Sequence, residues 1–515
     1  MANSDWFKLK SYPHIGHPIT WRDANQVRNY ITNPNKIINH SFCPFIHTQI
    51  YTPKYRKKYD EWGNLQNQGK RVKMKPKVRD IYYANHFDAN IFSYYSFLLS
   101  EKYEQALGRK NLKDVVTAYR KIPLKENKEK PNKCNIDFAN DIFNYIRQNS
   151  IHSELIAITF DIKGFFDNLD HKILREAWYK LWDIYDPQGH LPKDHYQVFK
   201  AITKFSYVED KALFNLFKDE IIIKTKSGII RNKPIKKIDY LRNQNAIAYC
   251  ELKDLKKIRA NGLIRANKVD QDSKRLRDFG ICQGSPISAT LANIYMLEFD
   301  EFMNLYISNM QGIYRRYSDD MVVICSQQYR DKILDIFEKQ IKNLTKLEIQ
   351  TDKTQVFHFK KQYNQLICLQ EFNGIINANS SKRKFEYLGF SFDGKNVYLK
   401  TTALAKYYRK MKKGVKRSAY YTYRIDNDTQ GEMFVKRLYH RYSYIGAKPT
   451  KSFYRVKGTT NQWVELKTNN WGNFIGYAQK ASRRLKGNKI KYQIKNHWKN
   501  LDKEIKKYQV EIKIK

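Results

Sequence analysis

Three carboxylates that sit where short apolar strands end or turn constrain this chain more than any other feature. Leu155–Phe160 (LIAITF) is an apolar, β-branched run that reads as a buried strand, and it stops directly on Asp161. Further along, Ile313–Tyr317 and Met321–Cys325 flank Ser318-Asp319-Asp320, which predicts a hairpin with a polar turn. An isolated Asp-Asp pair ordinarily marks a solvated turn, because Asp favours turns. Carboxylates gathered at strand ends differ, because close like charges raise one another's pKa unless a cation neutralises them, and a divalent metal is the natural counter-charge. Oxygen donors favour magnesium, with manganese as a substitute. Two such ions, about 3.5–4 Å apart, can activate an attacking 3′-hydroxyl and stabilise a leaving pyrophosphate.

The charge balance points the same way. Lys and Arg number 95 against 51 Asp and Glu, a net charge of +44 that needs a polyanion. Nucleic acid is the expected partner, ahead of a membrane surface. With 42% hydrophobic and 14% aromatic residues the chain can build cores, unlike a basic disordered tail. Its 515 residues suit about three domains or one multi-lobed enzyme. The six cysteines form no CxxC pair and no Cys/His cluster at zinc spacing, so they read as reduced core thiols. Met1–Lys10 shows no apolar signal core and no window nears the ~20 apolar residues of a membrane span, so a soluble, cytoplasmic protein is expected.

Along the chain, residues 1–70 are aromatic and polar without a period and read as an N-terminal extension. A basic stretch with Lys73, Lys75, Lys77 and Arg79 leads into a short strand, Ile81–Tyr83, and helical spacing follows from Ile91 to Leu107. Helical spacing recurs over 290–306. Residues 221–280 carry 16 basic against 6 acidic residues without strong periodicity and belong to an insertion of about 172–280. Residues 401–515 hold 29 basic and 7 acidic residues, a surplus of 29 − 7 = +22, half the net charge. There Phe434, Leu438, Tyr442 and Ile445 mark one helix face with Gly446 as its cap.

The acidic positions lie in longer motifs. Asp161 heads FDIKGFFDNLDH (160–171), Asp319-Asp320 lie in YRRYSDDMVVI (314–324), and GICQGSPISATLANIYM (280–296) falls between them. In that order they resemble motifs A, C and B of reverse transcriptases. The resemblance implies that Asp161 and Asp319 hold both metals, that Asp320 supports them, and that Ile162 adds a backbone carbonyl. It implies that Gln283-Gly284 lie against the incoming nucleotide, with Pro286 and Ser288 turning into the motif B helix. Phe166 matches the bulky residue that excludes ribonucleotides, which favours a DNA product. Residues 347–359 resemble motif D, which makes Lys353 the candidate general acid. Residues 385–394 resemble motif E, the primer grip, with Gly389 where backbone must approach closely. Upstream, Lys75–Arg79 resembles the basic fingers strand that binds triphosphate, with Arg79 preferred and Arg120, in the next motif, second.

The resemblance covers about residues 70–395. The lack of Cys/His clusters argues against the zinc-bearing endonuclease of group II intron enzymes, and the long insertion and basic C-terminal region are more similar to bacterial reverse transcriptases of the "unknown group", which act in anti-phage defence and abortive infection and are related to retron and group II intron enzymes. That implies a structured non-coding RNA as template or partner, dNTPs as substrates and a DNA product, with a homo-oligomer left open. Independently, Thr401–Arg424 interleaves eight basic residues with five tyrosines and no acid, which suits a phosphate track with stacking platforms. Lys410, Lys412, Lys413, Lys416 and Arg417 are its candidate nucleic-acid contacts, with Tyr317 beside the acidic turn.

The expectation is an α+β right-hand polymerase: a ferredoxin-like palm and fingers over 71–400, and a mostly helical basic thumb or C-terminal domain over 401–515. Its activity would be RNA-directed DNA synthesis. The alternatives are a template-independent or protein-primed DNA polymerase on the same site, and a non-catalytic RNA-binding scaffold.

Overall fold

The computed structural model describes residues 6–124, 131–151, 153–182, 190–225, 227–268, 275–425, 433–447, 452–455, 463–466 and 472–513. Helices and sheets mix without a βαβ alternation, so the fold is α+β. The chain forms two compact units: Met1–Asp60 with Asn64–Arg120 and Ile158–Gln355, and Glu61–Gly63 with Lys121–Ala157 and Val356–Lys515.

In the first unit, the strand Leu155–Asp161 lies beside the hairpin strand Asp320–Ser326, which pairs antiparallel with Ile313–Tyr317. The expected hairpin forms, and its register closes on Tyr317 opposite Asp320, leaving a two-residue turn. Phe160 stacks on Phe337 of the helix Arg330–Thr345 at 3.7 Å, with Phe299 and Tyr314 edge-on to the same ring. This aromatic layer fixes the floor beneath the strand end.

The strand expected at 81–83 is far longer. Arg71–Tyr83 pairs antiparallel with Phe45–Lys57 over most of both strands. Most of Arg71–Tyr83 is exposed, so no inward-outward alternation reveals it, and the "extension" supplies its partner. The helix at 91–107 runs from His86 to Arg109, capped by the Asn85 side chain on Phe87 N. The helical stretch 290–306 is two helices, Ser288–Tyr295 and Leu297–Ser308, broken at Met296.

The described residues of the insertion form a subdomain of their own. Short strands Ile221–Lys224, Ile230–Lys233 and Ala246–Cys250 join His14–Ile15 in a four-stranded sheet. Its core gathers Ile15, Ile46, Leu213, Phe217, Ile221 and Tyr249. Strands of four or five residues carry too few positions to establish a period, which is why the sequence reads them as irregular.

In the second unit, the hairpin Gln355–Gln362 and Gln365–Gln370 and the small sheet of Phe385–Tyr387, Phe390–Phe392 and Val397–Leu399 accompany helices Asn135–Asn149, Thr401–Tyr420, Phe474–Arg484 and His497–Lys513. Arg484 clamps both Asp137 oxygens at 2.7 Å. The helix face expected from 434 to 445 is shorter: the helix is Val435–Tyr442, Leu438 and Tyr442 are buried, and Phe434 and Ile445 are exposed. Gly446 lies in a separate 3-10 turn, where a Cβ would meet His440 O at 1.8 Å, so close approach rather than capping requires the glycine.

Candidate active site

The hairpin turn that presents Asp319 is held from below. Ser318 takes the first turn position with φ +62°, as a two-residue turn of type II′ requires, in a region that usually favours glycine. Along Ile313–Tyr317, the odd residues are half-buried, whereas Tyr314 and Arg316 point inward and are fully buried. Arg316 meets Asp300, also fully buried, through Nε at 2.8 and 3.0 Å and Nη2 at 2.7 Å. Its Nη1 donates to Asn293 Oδ1 at 3.1 Å and to the Ser318 carbonyl at 3.2 Å. Burial opposes the charge, but the Asp300 carboxylate outweighs it and holds the guanidinium pKa above its ordinary value. Asn293 Nδ2 donates to Ala118 O, Thr117 N donates to Arg316 O, and the hydroxyls of Tyr119 and Ser318 lie 3.2 Å apart. Tyr119 itself sits at φ +61° and is largely exposed. Sequence reading missed Arg316, Asp300 and Asn293; the available signal was an arginine at an inward position of an apolar strand, which demands a buried counter-charge.

Asp161 is half-buried at its strand end, and Lys353 Nζ lies 2.7 Å from its Oδ1. The backbone continues into Ile162, buried and bridged to Ile349, while Lys163 N donates to Glu348 O and Gln350 N to Asp161 O. These bonds stitch the segment 348–350 to the end of the strand Leu155–Asp161. Lys54 feels the charge of Lys353: its pKa is lowered, first by Arg56, then by burial, Lys353 and Lys77. Lys54 and Arg56 were not singled out by the sequence, because their strand was not visible in it. Arg79 lies on the same strand as Lys77 and shares its face, two residues on. Arg120 is differently placed, since its guanidinium is held by Glu104 at 2.6 and 2.7 Å and by the carbonyls of Lys113 and Val116.

The segments expected to face the nucleotide are joined by backbone. Phe166 is half-buried in the turn Phe165–Asp167, and its carbonyl accepts from Ile281 N at 2.9 Å. Gly280 N donates to Leu169 O, and His171 Nε2 donates to Gly280 O at 2.7 Å. Gln283 O accepts from Tyr82 N at 2.8 Å. Gly284, at φ +120°, has no room for a side chain: a Cβ would lie 2.7 Å from Tyr82 O and 3.0 Å from Ile81. Ser288 Oγ donates to Cys282 O at the start of the following helix, fixing the turn through Pro286. The structure thus brings Phe166, Gln283 and Gly284 together with the strand Arg71–Tyr83.

In the second unit, Leu388 and Gly389 both have positive φ, the pattern of a type I′ hairpin turn between Phe385–Tyr387 and Phe390–Phe392. A Cβ on Gly389 would meet nothing within 4 Å among the described residues, and the positive φ of the turn favours the glycine. The helix Thr401–Tyr420 buries Tyr407, Met411, Val415 and Ala419 and exposes Lys410, Lys413, Lys416 and Arg417. Lys412 is also exposed but pairs with Glu504 at 2.9 Å. Tyr317, half-buried opposite Asp320, flanks the acidic turn.

Among the described residues no three His, Cys, Asp or Glu side chains form a closed metal cluster. Asp161 and Asp319 nevertheless fit magnesium, which polymerases bind through one or two carboxylates completed by substrate phosphates and water rather than by an all-protein cage. No described helix is long and apolar enough to cross a membrane.

Residues 245–392 match the family model described as reverse transcriptase (RNA-dependent DNA polymerase). No curated protein matches the chain. Among solved structures, an apo telomerase from Candida tropicalis truncated from the C-terminal domain is 12% identical, with a TM-score of 0.32 over 74% of this chain and 61% of that one. A telomerase from Candida albicans in complex with a TWJ fragment of telomeric RNA is 13% identical, with a TM-score of 0.33 over 79% of this chain and 55% of that one. The chain therefore spans less than two thirds of these proteins.

Proposed function

We propose that this protein, which carries a reverse transcriptase domain, is an RNA-directed DNA polymerase that adds dNTPs to a 3′-hydroxyl. One observation carries the reading: the matched domain contains the Asp319 turn, and the strand that carries this turn neighbours the one ending on Asp161. Asp161 and Asp319 would hold magnesium, with Asp320 in support and the Ile162 carbonyl as a further donor. When bound, the metal supplies activation of the attacking hydroxyl and neutralisation of the leaving pyrophosphate.

The protein's own groups do the rest. Lys54, Lys77 and Arg79 attract and orient the triphosphate; Arg120, enclosed by Glu104, is left out of that role. Lys353, in hydrogen-bond reach of Asp161, is the group placed to donate a proton to a pyrophosphate oxygen. Phe166 selects the deoxyribose and Gln283-Gly284 shape the base pocket. Gly389, Tyr317 and the exposed cations of Thr401–Tyr420 guide primer and template.

The fingers, palm and thumb division, a structured non-coding RNA as template, and a role in anti-phage defence in the cytoplasm complete the proposal, supported by the basic surplus and the motif layout. The test is extension of a primer on an RNA template with labelled dNTPs or NTPs, with and without magnesium. Complementary DNA made only with magnesium and lost in Asp319→Ala, with RNA binding retained, is the expected result. Ribonucleotide polymer, or undiminished synthesis by Asp319→Ala, overturns it.

A further inference from the structure

The insertion's cations are sorted on its surface. Residues 224–245 hold seven Lys and Arg against a single acid, Asp239. Lys224, Arg231, Lys236, Lys237 and Arg242 are exposed, and none meets a carboxylate among the described residues. Elsewhere in the same subdomain charges are matched: Glu220 pairs with Lys257, Glu209 with His47 and Arg265, and Glu251 with His17. Asp254 is used to cap the turn at Glu251. Lys253, Lys256 and Arg259 are also exposed without a carboxylate partner among the described residues, but they lie beside Glu251 and Asp254, whereas 224–245 sets seven cations against one acid.

That region also has shape. Lys224 and Arg242 line an open cleft of about 700 Å³ with Thr225 and Asn245, and no acidic side chain lines it. Lys224 N donates to Asn245 O, and Lys233 Nζ donates to Gln244 Oε1 at 2.7 Å, so the strands and the loop bearing Arg242 form one connected surface. The strand Ile230–Lys233 is the edge of its sheet and presents backbone N–H groups beside these cations. Tyr240 is the one markedly exposed aromatic of 224–245, too few rings to stack a run of unpaired bases. Cations and N–H groups without stacking platforms suit a regular phosphate backbone.

We propose that Lys224, Arg231, Lys236, Lys237 and Arg242 form a docking surface for the sugar-phosphate backbone of a base-paired RNA stem, built on a different sheet from the one that carries the catalytic carboxylates. The choice of RNA rests on the reading that the template is RNA: only an unpaired stretch can be copied, so folded flanks of the same molecule need another seat.

The experiment measures binding, so it does not depend on polymerisation. The full chain and the triple variant Lys236→Glu/Lys237→Glu/Arg242→Glu are titrated into a fluorescent hairpin RNA from roughly 50 to 200 mM salt. The expected result is an affinity about tenfold weaker and a salt slope reduced by about 3, one for each phosphate no longer neutralised. Lys253→Glu/Lys256→Glu, reversals elsewhere in the subdomain, should weaken binding by less than about threefold. A triple variant that binds the hairpin like the parent, or two variants that fall equally, overturns the proposal. So does an equal loss for poly(U), which would mean single-strand binding. If the triple variant melts early, Lys237→Glu and Arg242→Glu are measured singly, each expected to reduce the slope by about 1. Absence of polymerisation by the parent would overturn the polymerase reading and leave this binding test standing.

Discussion

Arg316 and Asp300 bury opposite charges completely just beneath the turn that presents Asp319. Removing one partner of such a pair leaves the other uncompensated, at a cost of about 3–5 kcal/mol. Asp300→Asn should therefore lower the melting temperature sharply, and surviving folded protein should lose incorporation because the Ser318 carbonyl loses its anchor; a thermal melt beside an extension assay checks both. Phe166 is half-buried and tied into the chain through its carbonyl, so trimming its ring removes bulk without removing that bond. Phe166→Ala should relax discrimination against NTPs by at least about tenfold, read as the ratio of kcat/KM for dNTP and NTP. Unchanged discrimination would remove Phe166 from sugar selection. Both residues lie in motifs visible in the sequence, yet only Phe166 was singled out there. The role of Arg316 depends on Asp300, sixteen residues away, and on its fully buried side chain.

Among the elements, the junction of the Gln283-Gly284 turn with the end of Arg71–Tyr83 couples the basic hairpin to the helix Ser288–Tyr295 that follows the turn. Gly284→Ala would force a Cβ against Tyr82 O at a φ that L-residues rarely adopt. The expected outcome is a fall in kcat/KM for dNTP of about a hundredfold with RNA affinity preserved, measured by single-nucleotide incorporation and by RNA titration. Full activity would show that the two elements can separate freely. The motif B glycine was legible from its neighbours Gln283 and Pro286. Its physical reason was not, because Ile81 and Tyr82, which leave no room for a Cβ, lie about 200 residues away in the chain. The insertion was hidden for another reason, being made of strands too short for alternation to register.

Over the whole molecule, buried histidines set an acid limit. Burial lowers His14 to about 3 and His195 to about 4, and it also lowers His86 and His171, all in the unit that carries the carboxylates. Below the ordinary value of 6.5 the unfolded chain binds protons that the folded one refuses, so stability is present above that pH and falls as pH drops toward 4. His14 and His195 should each cost roughly 1 kcal/mol per pH unit in that window. Urea melts between pH 7 and 5 should show a falling midpoint, and His195→Phe should flatten the slope; a midpoint independent of pH would contradict the buried, neutral histidines.

By itself the sequence determined the chemistry: apolar runs ending on carboxylates, a Gln-Gly turn before a helix and a large basic surplus are local patterns, readable because each depends on neighbours within a few positions. Tertiary structure alone decided which side chains are engaged and which are available. Lys353 meets Asp161, Arg120 is enclosed by Glu104, and Lys54 joins the cations near Lys353. Those outcomes arise from contacts between residues distant in the chain, and which partner a charged side chain meets, unlike periodicity, is not written in linear order.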